Sequence, residues 1–106
     1  SDGGIRNGYT LKILNKRHET RQYKVSIEGL PATAVDPKLD FVGFKEVDPV
    51  IDVVPDSLRA IRVYLSLPKP AVSQLKDEST DLTFVVTDIE DGSVARRSTK
   101  FRSPKK

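Results

Sequence analysis

Apolar and polar residues alternate along several stretches of this chain, most cleanly over Ile61, Val63, Leu65 and Leu67, which are separated by Arg62, Tyr64 and Ser66. A period of two sends successive side chains to opposite faces of a strand, so this stretch predicts a strand with one buried face. Tyr9, Leu11 and Ile13 alternate in the same way with Thr10 and Lys12, as do Tyr23, Val25 and Ile27 with Gln22, Lys24, Ser26 and Glu28. The polar run Asn15–Thr20 between them reads as a turn, and the two strands are expected to pair as a hairpin. In EGLP, Gly29 relaxes the backbone and Pro31 turns the residue before it away from helix, which ends the second strand.

Further on, Ala32–Asp40 predicts a crossing connection, FVGF with Lys45–Val47 an irregular edge, and VIDVVP another short strand. Arg59 and Arg62 have the spacing of a helical turn, but the β-branched, alternating residues around them favour an extended chain. Prolines and polar residues make PKPAVSQLKDEST a loop. Leu82, Phe84 and Val86 alternate with Thr83, Val85 and Thr87, and the apolar Val85 predicts a strand covered on both faces. Asp91-Gly92 is a strong hairpin signal, since glycine tolerates the positive φ of a twist-compatible turn. The last strand, Val94–Arg102, is polar and basic with Ala95, Thr99 and Phe101 on one face, which suits a sheet edge. About seven short strands without a convincing helix predict an all-β, immunoglobulin-like antiparallel β-sandwich. It forms a single domain over residues 1–106, with a linker-like leader at 1–5 and a frayed basic tail at 103–106.

Composition narrows the chemistry. A chain of 106 residues fits one domain with a core of its own. With no Cys and no Met, its side chains supply no disulfide, thiol nucleophile, thiolate zinc or iron–sulfur ligand, and no thioether for copper. A net charge of +3 and a pI near 9.3 are mildly basic, well short of the dense cationic tracts that dominate nucleic-acid binding, and no nucleic-acid partner is expected. No apolar run approaches the roughly 20 residues that cross a bilayer as a helix.

The segments IRNGYTLKILNK, YKVSIEGLP, VVPDSLRAIRVYLSLP, LTFVVTD and STKFRSP, in that order, make the chain resemble the C-terminal domain of the FixG/CcoG family, accessory proteins of cbb3-type cytochrome c oxidase. The resemblance implies a C-terminal piece of a longer inner-membrane protein that carries several membrane helices and a ferredoxin-like segment with 4Fe-4S clusters on Cys-rich motifs. It also implies that this module is exposed in the periplasm and that the parent acts in oxidase maturation and copper handling. None of the family's redox residues can be placed on this chain, because it has no Cys-x-x-Cys run. The expectation is a domain without enzymatic activity or cofactor of its own, serving as a scaffold for protein partners among the oxidase assembly components. The alternative is a freestanding β-sandwich binding module for protein or carbohydrate, although the absence of Trp weakens sugar stacking.

Candidate sites are few. Asn7 is expected to hydrogen-bond local backbone at the entry to the first strand, with Arg6 beside it as a partner contact. His18, next to Glu19, lies in the charged tip NKRHET and reads as a solvated turn, with no nucleophile nearby and too few ligands for copper. Asp77, Glu78 and Asp81, and later Asp88, Glu90 and Asp91, offer oxygen ligands but lack the spacing of a calcium loop, and are expected to solubilise loops. Ser57, Ser66 and Ser73 lack a nucleophile-elbow context. The basic run ARRSTKFRSPKK is the one surface with a functional reading. Arg96, Arg97, Lys100 and Arg102 protect an edge strand from aggregation, or meet an anionic surface such as phospholipid headgroups or an acidic protein face. Alternation puts Arg96, Lys100 and Arg102 on the outward face and Arg97 on the other.

Overall fold

The computed structural model describes residues 4–32, 34–75 and 78–103; residues 1–3 of the leader, Asp77, and Lys105 and Lys106 of the tail lie outside them. Seven strands and one helical turn follow in the order β1 (Ile5–Asn15), β2 (Arg21–Glu28), β3 (Lys38–Phe41), β4 (Ile51–Val53), β5 (Ser57–Leu67), α1 (Lys69–Val72), β6 (Ser79–Asp88) and β7 (Val94–Arg102). They form two antiparallel sheets, β1-β5-β3 and β4-β2-β6-β7. The fold is thus the immunoglobulin-like sandwich that the alternation predicts.

Between the sheets lies one core. Ile61, Val63, Leu65 and Leu67 of β5 face Val25 of β2, Leu82 and Phe84 of β6 and Phe101 of β7, all nearly excluded from solvent. Burial of each such side chain contributes about 1.5–3 kcal/mol, which makes this layer the main source of stability. Tyr9 of β1 packs edge-on against Phe84 with ring centroids 5.0 Å apart, joining the sheets through an aromatic pair.

The expected hairpin of the first two strands does not form. β1 pairs along its whole length with β5, Tyr9 opposite Val63 and Leu11 opposite Ile61, whereas β2 pairs with β4 and β6 in the other sheet. A period of two says that one face is buried and leaves open which edge is paired. The run after Asn15 carries the chain across the sandwich, so β1 and β2 lie in opposite sheets. Three further boundaries differ. β1 begins at Ile5, inside the segment read as leader, and β3 begins at Lys38, inside the segment read as a crossing connection. The loop after β5 contains α1, because Pro70 is compatible with a first helical turn and Ala71 and Val72 bury their side chains. The Asp91-Gly92 signal holds: Gly92 has φ +74, and its N–H donates to the Asp88 carbonyl at 2.8 Å to close the β6–β7 hairpin.

Candidate functional site

β7 lies at the edge of the four-stranded sheet and β1 at the edge of the three-stranded one. Side chains of β1 bridge the two edges at one end. Asn7 Nδ2 donates to the Arg102 carbonyl at 2.9 Å, and its Oδ1 accepts from the Arg102 backbone N–H at 2.8 Å. Tyr9 Oη donates to the Lys100 carbonyl at 2.9 Å. The expected local bond of Asn7 is therefore replaced by a clasp on a strand 95 residues away. Position 7 has the inward parity of Tyr9 and Leu11, so its amide reaches across the sandwich and not back along its own strand.

The rest of the IRNGY segment works on the opposite face. Gly8 lies opposite Tyr64, and a Cβ there would come within 2.9 Å of the Tyr64 ring and of Arg62 Nη2. Its bareness leaves room for the Tyr64 ring, which two guanidinium groups approach, Arg6 at 4.2 Å and Arg62 at 5.4 Å from the ring centroid. Arg6 is thereby engaged within the domain.

At the other end of β1, Asn15 is 1% exposed and fully bonded. Its Nδ2 donates to the carbonyls of Glu19 and Val53, each at 2.9 Å, and its Oδ1 accepts from the Arg17 N–H at 2.8 Å. Next to it lies a charge cluster centred on Arg21, whose side chain is 6% exposed. Nε of Arg21 meets Asp88 at 2.8 Å, Nη1 meets Glu19 at 3.1 Å and Glu90 at 3.0 Å, and Nη2 meets Asp91 at 3.2 Å. Asp88, Glu90 and Asp91 are thus ligands of a guanidinium, which corrects the reading of them as loop solubility. Burial pushes Asp88 up, but the Arg21 hydrogen bond, the Glu90 backbone N–H and the guanidinium charge outweigh it and hold the carboxyl below its usual range. Asp91 is also held low, first by the Ser93 backbone and side-chain bonds.

Of the four basic candidates on β7, Arg96 is paired with Glu28 at 3.0 Å and Lys100 with Asp81. Arg102 is exposed while its backbone is held by Asn7. Arg97 shares the inward parity of Phe101 yet is exposed. Toward this end β1 and β7 part: Lys12–Arg17 and Ser93–Ala95 flank a groove of about 400 Å³ over Ile13, Tyr23, Val86 and Asp88. His18 is almost fully exposed and lies 3.5 Å from Asp56, while Glu19 turns to Arg21. Ser57 and Ser73 bond the carbonyls of Pro55 and Pro70, and Ser66 lies beside a depression of about 590 Å³ at the far end, where Arg6, Asp36 and Lys38 are exposed. Among the described residues no three His, Asp or Glu side chains converge as metal ligands.

Comparison with known proteins agrees with this geometry. A family model described as "IG-like fold at C-terminal of FixG, putative oxidoreductase" matches residues 1–104. The chain is 35% identical over 78 residues to the nitrogen fixation protein FixG of Rhizobium meliloti (strain 1021), a match covering 73% of this chain and 14% of that protein. It therefore spans about a seventh of the length of that relative. The crystal structure of a FixG-related protein from Vibrio parahaemolyticus superposes with a TM-score of 0.71 at 22% identity, covering 94% of this chain and 80% of that one, and shows the same fold.

Proposed function

This chain belongs to the family of immunoglobulin-like domains found at the C-terminus of FixG, and on that premise we propose that it is a non-catalytic interaction and scaffold domain of a FixG/CcoG-type membrane-bound iron–sulfur protein. In this reading the domain stands on the periplasmic face of the bacterial inner membrane and presents the parent to components that assemble cbb3-type cytochrome oxidase and handle copper. The observation that carries it is the family match along almost the whole chain. The division of chemistry is consistent with it: a chain with no Cys, no Met and one His leaves redox work to other segments. Its buried charges, Arg21 and Asp88, are engaged in holding the sandwich, and among the described residues none stands as a nucleophile beside a base.

An in-frame deletion of this domain tests the proposal, with the oxidase level in membranes read by haem staining and oxygen uptake. The expected result is a loss of assembled oxidase while the iron–sulfur clusters of the truncated parent keep their spectrum. Full oxidase levels without the domain would overturn the assembly role.

A further inference from the structure

We propose that the open half of the β7 edge, Val94–Ser98, binds an extended acidic segment of a partner protein by strand addition, with one apolar side chain of that segment seated in the groove over Ile13, Tyr23 and Val86. This deepens the reading of the domain as an interaction module and rests on it.

The backbone of β7 shows which groups are available. The Arg102 N–H points away from β6 to Asn7, whereas the Ser103 N–H and the Ser93 carbonyl point toward β6, to Glu78 and Asp88. Since β6–β7 pairing runs without a break in register, Val94, Arg96, Ser98 and Lys100 share the outward direction of Arg102. Asn7 and Tyr9 cap the Arg102 N–H and carbonyl and the Lys100 carbonyl. Nothing among the described residues caps Val94, Arg96 or Ser98, whose N–H and carbonyl groups stand in a row at a sheet edge. Such a row is a template for another strand.

The groove supplies specificity. It opens where β1 leaves β7, beside the uncapped residues, and its floor joins the apolar Ile13, Tyr23 and Val86 to Asp88, whose carboxylate is held by Arg21. A strand added to β7 lies about 4.8 Å from it and turns alternate side chains inward, so one of them faces that floor.

Charge selects the occupant. Lys12 and Lys16 on the β1 rim, and Arg97 on β7 two residues beyond the lining residue Ala95, are exposed and paired with no acid among the described residues, whereas Arg17, Arg96 and Lys100 are offset by Asp91, Glu28 and Asp81. The groove's own lining carries Lys12, Lys16 and Arg17 against Asp88, and Asp88 is held by Arg21, so the β1 rim suits Glu and Asp flanking the inserted residue. A second copy of this chain fits poorly, because antiparallel pairing of two β7 edges over Val94–Ser98 sets Arg96 against its own equivalent and supplies no acid to the slot. A lipid surface matches the charge but offers no backbone donors to the edge and no side chain to the groove.

The test is NMR titration of the isotope-labelled chain with an end-blocked peptide of about nine residues alternating Glu and Val, a length that covers the open edge. Expected are slowed amide exchange at Arg96 and Ser98, shifts at Ile13, Tyr23 and Val86, and binding that weakens with salt. Replacing Glu by Lys in the peptide, or combining Lys12→Glu, Lys16→Glu and Arg97→Glu in the protein, should weaken binding by about tenfold or more. Ser98→Pro removes an outward N–H without touching a bond to β6 and should abolish binding; if that variant does not fold, N-methylation of alternate peptide residues makes the same cut from the other side. No binding at millimolar peptide, equal binding of the Lys peptide, or perturbations confined to another strand would overturn the proposal. So would binding to phosphatidylglycerol vesicles by a chain whose Arg96 and Ser98 amides ignore the peptide. If the peptide result fails while deletion of the domain still depletes oxidase, the edge site alone is wrong. Peptide binding with oxidase unaffected by the deletion would sink the assembly role and leave the site standing.

Discussion

Replacing Asn15 tests whether buried polar anchors, and not the apolar core alone, hold the two sheets together. Its amide makes two donated bonds at 2.9 Å, to Glu19 and Val53, and accepts one at 2.8 Å from Arg17, in a site 1% exposed. Asn15→Ala strands two carbonyls and one N–H at once. At about 1 kcal/mol or slightly more for each group left unpaired, the loss comes to about 3–4 kcal/mol. That is a large share of the roughly 5–15 kcal/mol that stabilises a domain of this size. With an m-value of about 1.5 kcal/mol/M, the urea midpoint should fall by about 2 M. Asn15→Asp keeps the size and the acceptor for the Arg17 N–H, but aims a carboxylate oxygen at two carbonyls. Burial and those carbonyls raise the folded-state pKa of the new carboxyl above its unfolded value of about 3.9. Compared with wild type at equal pH, the variant should therefore lose least in acid, about 1 kcal/mol, where the protonated carboxyl donates to one of the two carbonyls and leaves the other unpaired, and lose more stability as the pH rises past that value. At neutral pH it should be less stable than Asn15→Ala. Urea melts of the three proteins at pH 3.5 and pH 7 decide. A loss below about 1 kcal/mol for the alanine variant, or a pH-independent deficit for the aspartate one, would refute the reasoning.

Tyr9 is pushed up to about 12, by burial first and against the pull of Arg102, so its phenol should titrate late. Absorbance at alkaline pH should lose that late step in Tyr9→Phe, and wild-type stability should decline as the pH rises from the unfolded value near 10 through about 12. Asp88 and Asp91 are held low, so the stability they contribute is present above the unfolded carboxylate value and lost as the pH falls through their folded values. Asp88→Asn should flatten the acid limb of a melting-temperature profile while lowering its neutral plateau; an unchanged acid limb would mean the Arg21 cluster is not what acid breaks. Val63 has no exposed surface, so Val63→Asp should cost several kcal/mol and unfold the domain, whereas Arg62→Ala, which removes an exposed contact to Thr10 and a stack on Tyr64, should remain folded in circular dichroism.

Strand positions were legible because one-sided burial writes itself into the sequence as a period of two. Ile61–Leu67 and the Asp91-Gly92 turn appear in the structure where the pattern puts them. Strand partners were not legible in the same way: the alternations of β1 and β2 are equally compatible with a hairpin and with packing across the sandwich. The role of Arg21 is the least legible of all. Its parity with Tyr23, Val25 and Ile27 places a guanidinium on the buried face, and Asp88, Glu90 and Asp91 follow directly after another inward-facing series in β6. Both signals were present, but only the fold shows that they meet, 67 residues apart. Asn7 is illegible for a related reason, since an asparagine at a strand entry has a ready local use and its distant partner leaves no trace in nearby residues.

β1 carries polar anchors toward both ends and apolar residues between them: Asn7 and Tyr9 hold β7, Leu11 and Ile13 fill the core, and Asn15 holds the chain at Val53. Apolar burial is nearly indifferent to a slide of two residues, because the same face stays inward. The anchoring bonds are not, since a slide breaks them at both ends and leaves the buried groups around Asn15 unpaired. The anchors therefore fix how one sheet lies on the other, and they do so without occupying the stretch between them. In that stretch β1 can stand away from β7 without loosening the sandwich, so an uncapped edge and an apolar groove can persist side by side in a stable domain. Removing Asn7 or Asn15 should then disturb the groove as well as the fold, whereas filling the groove should leave both anchors intact.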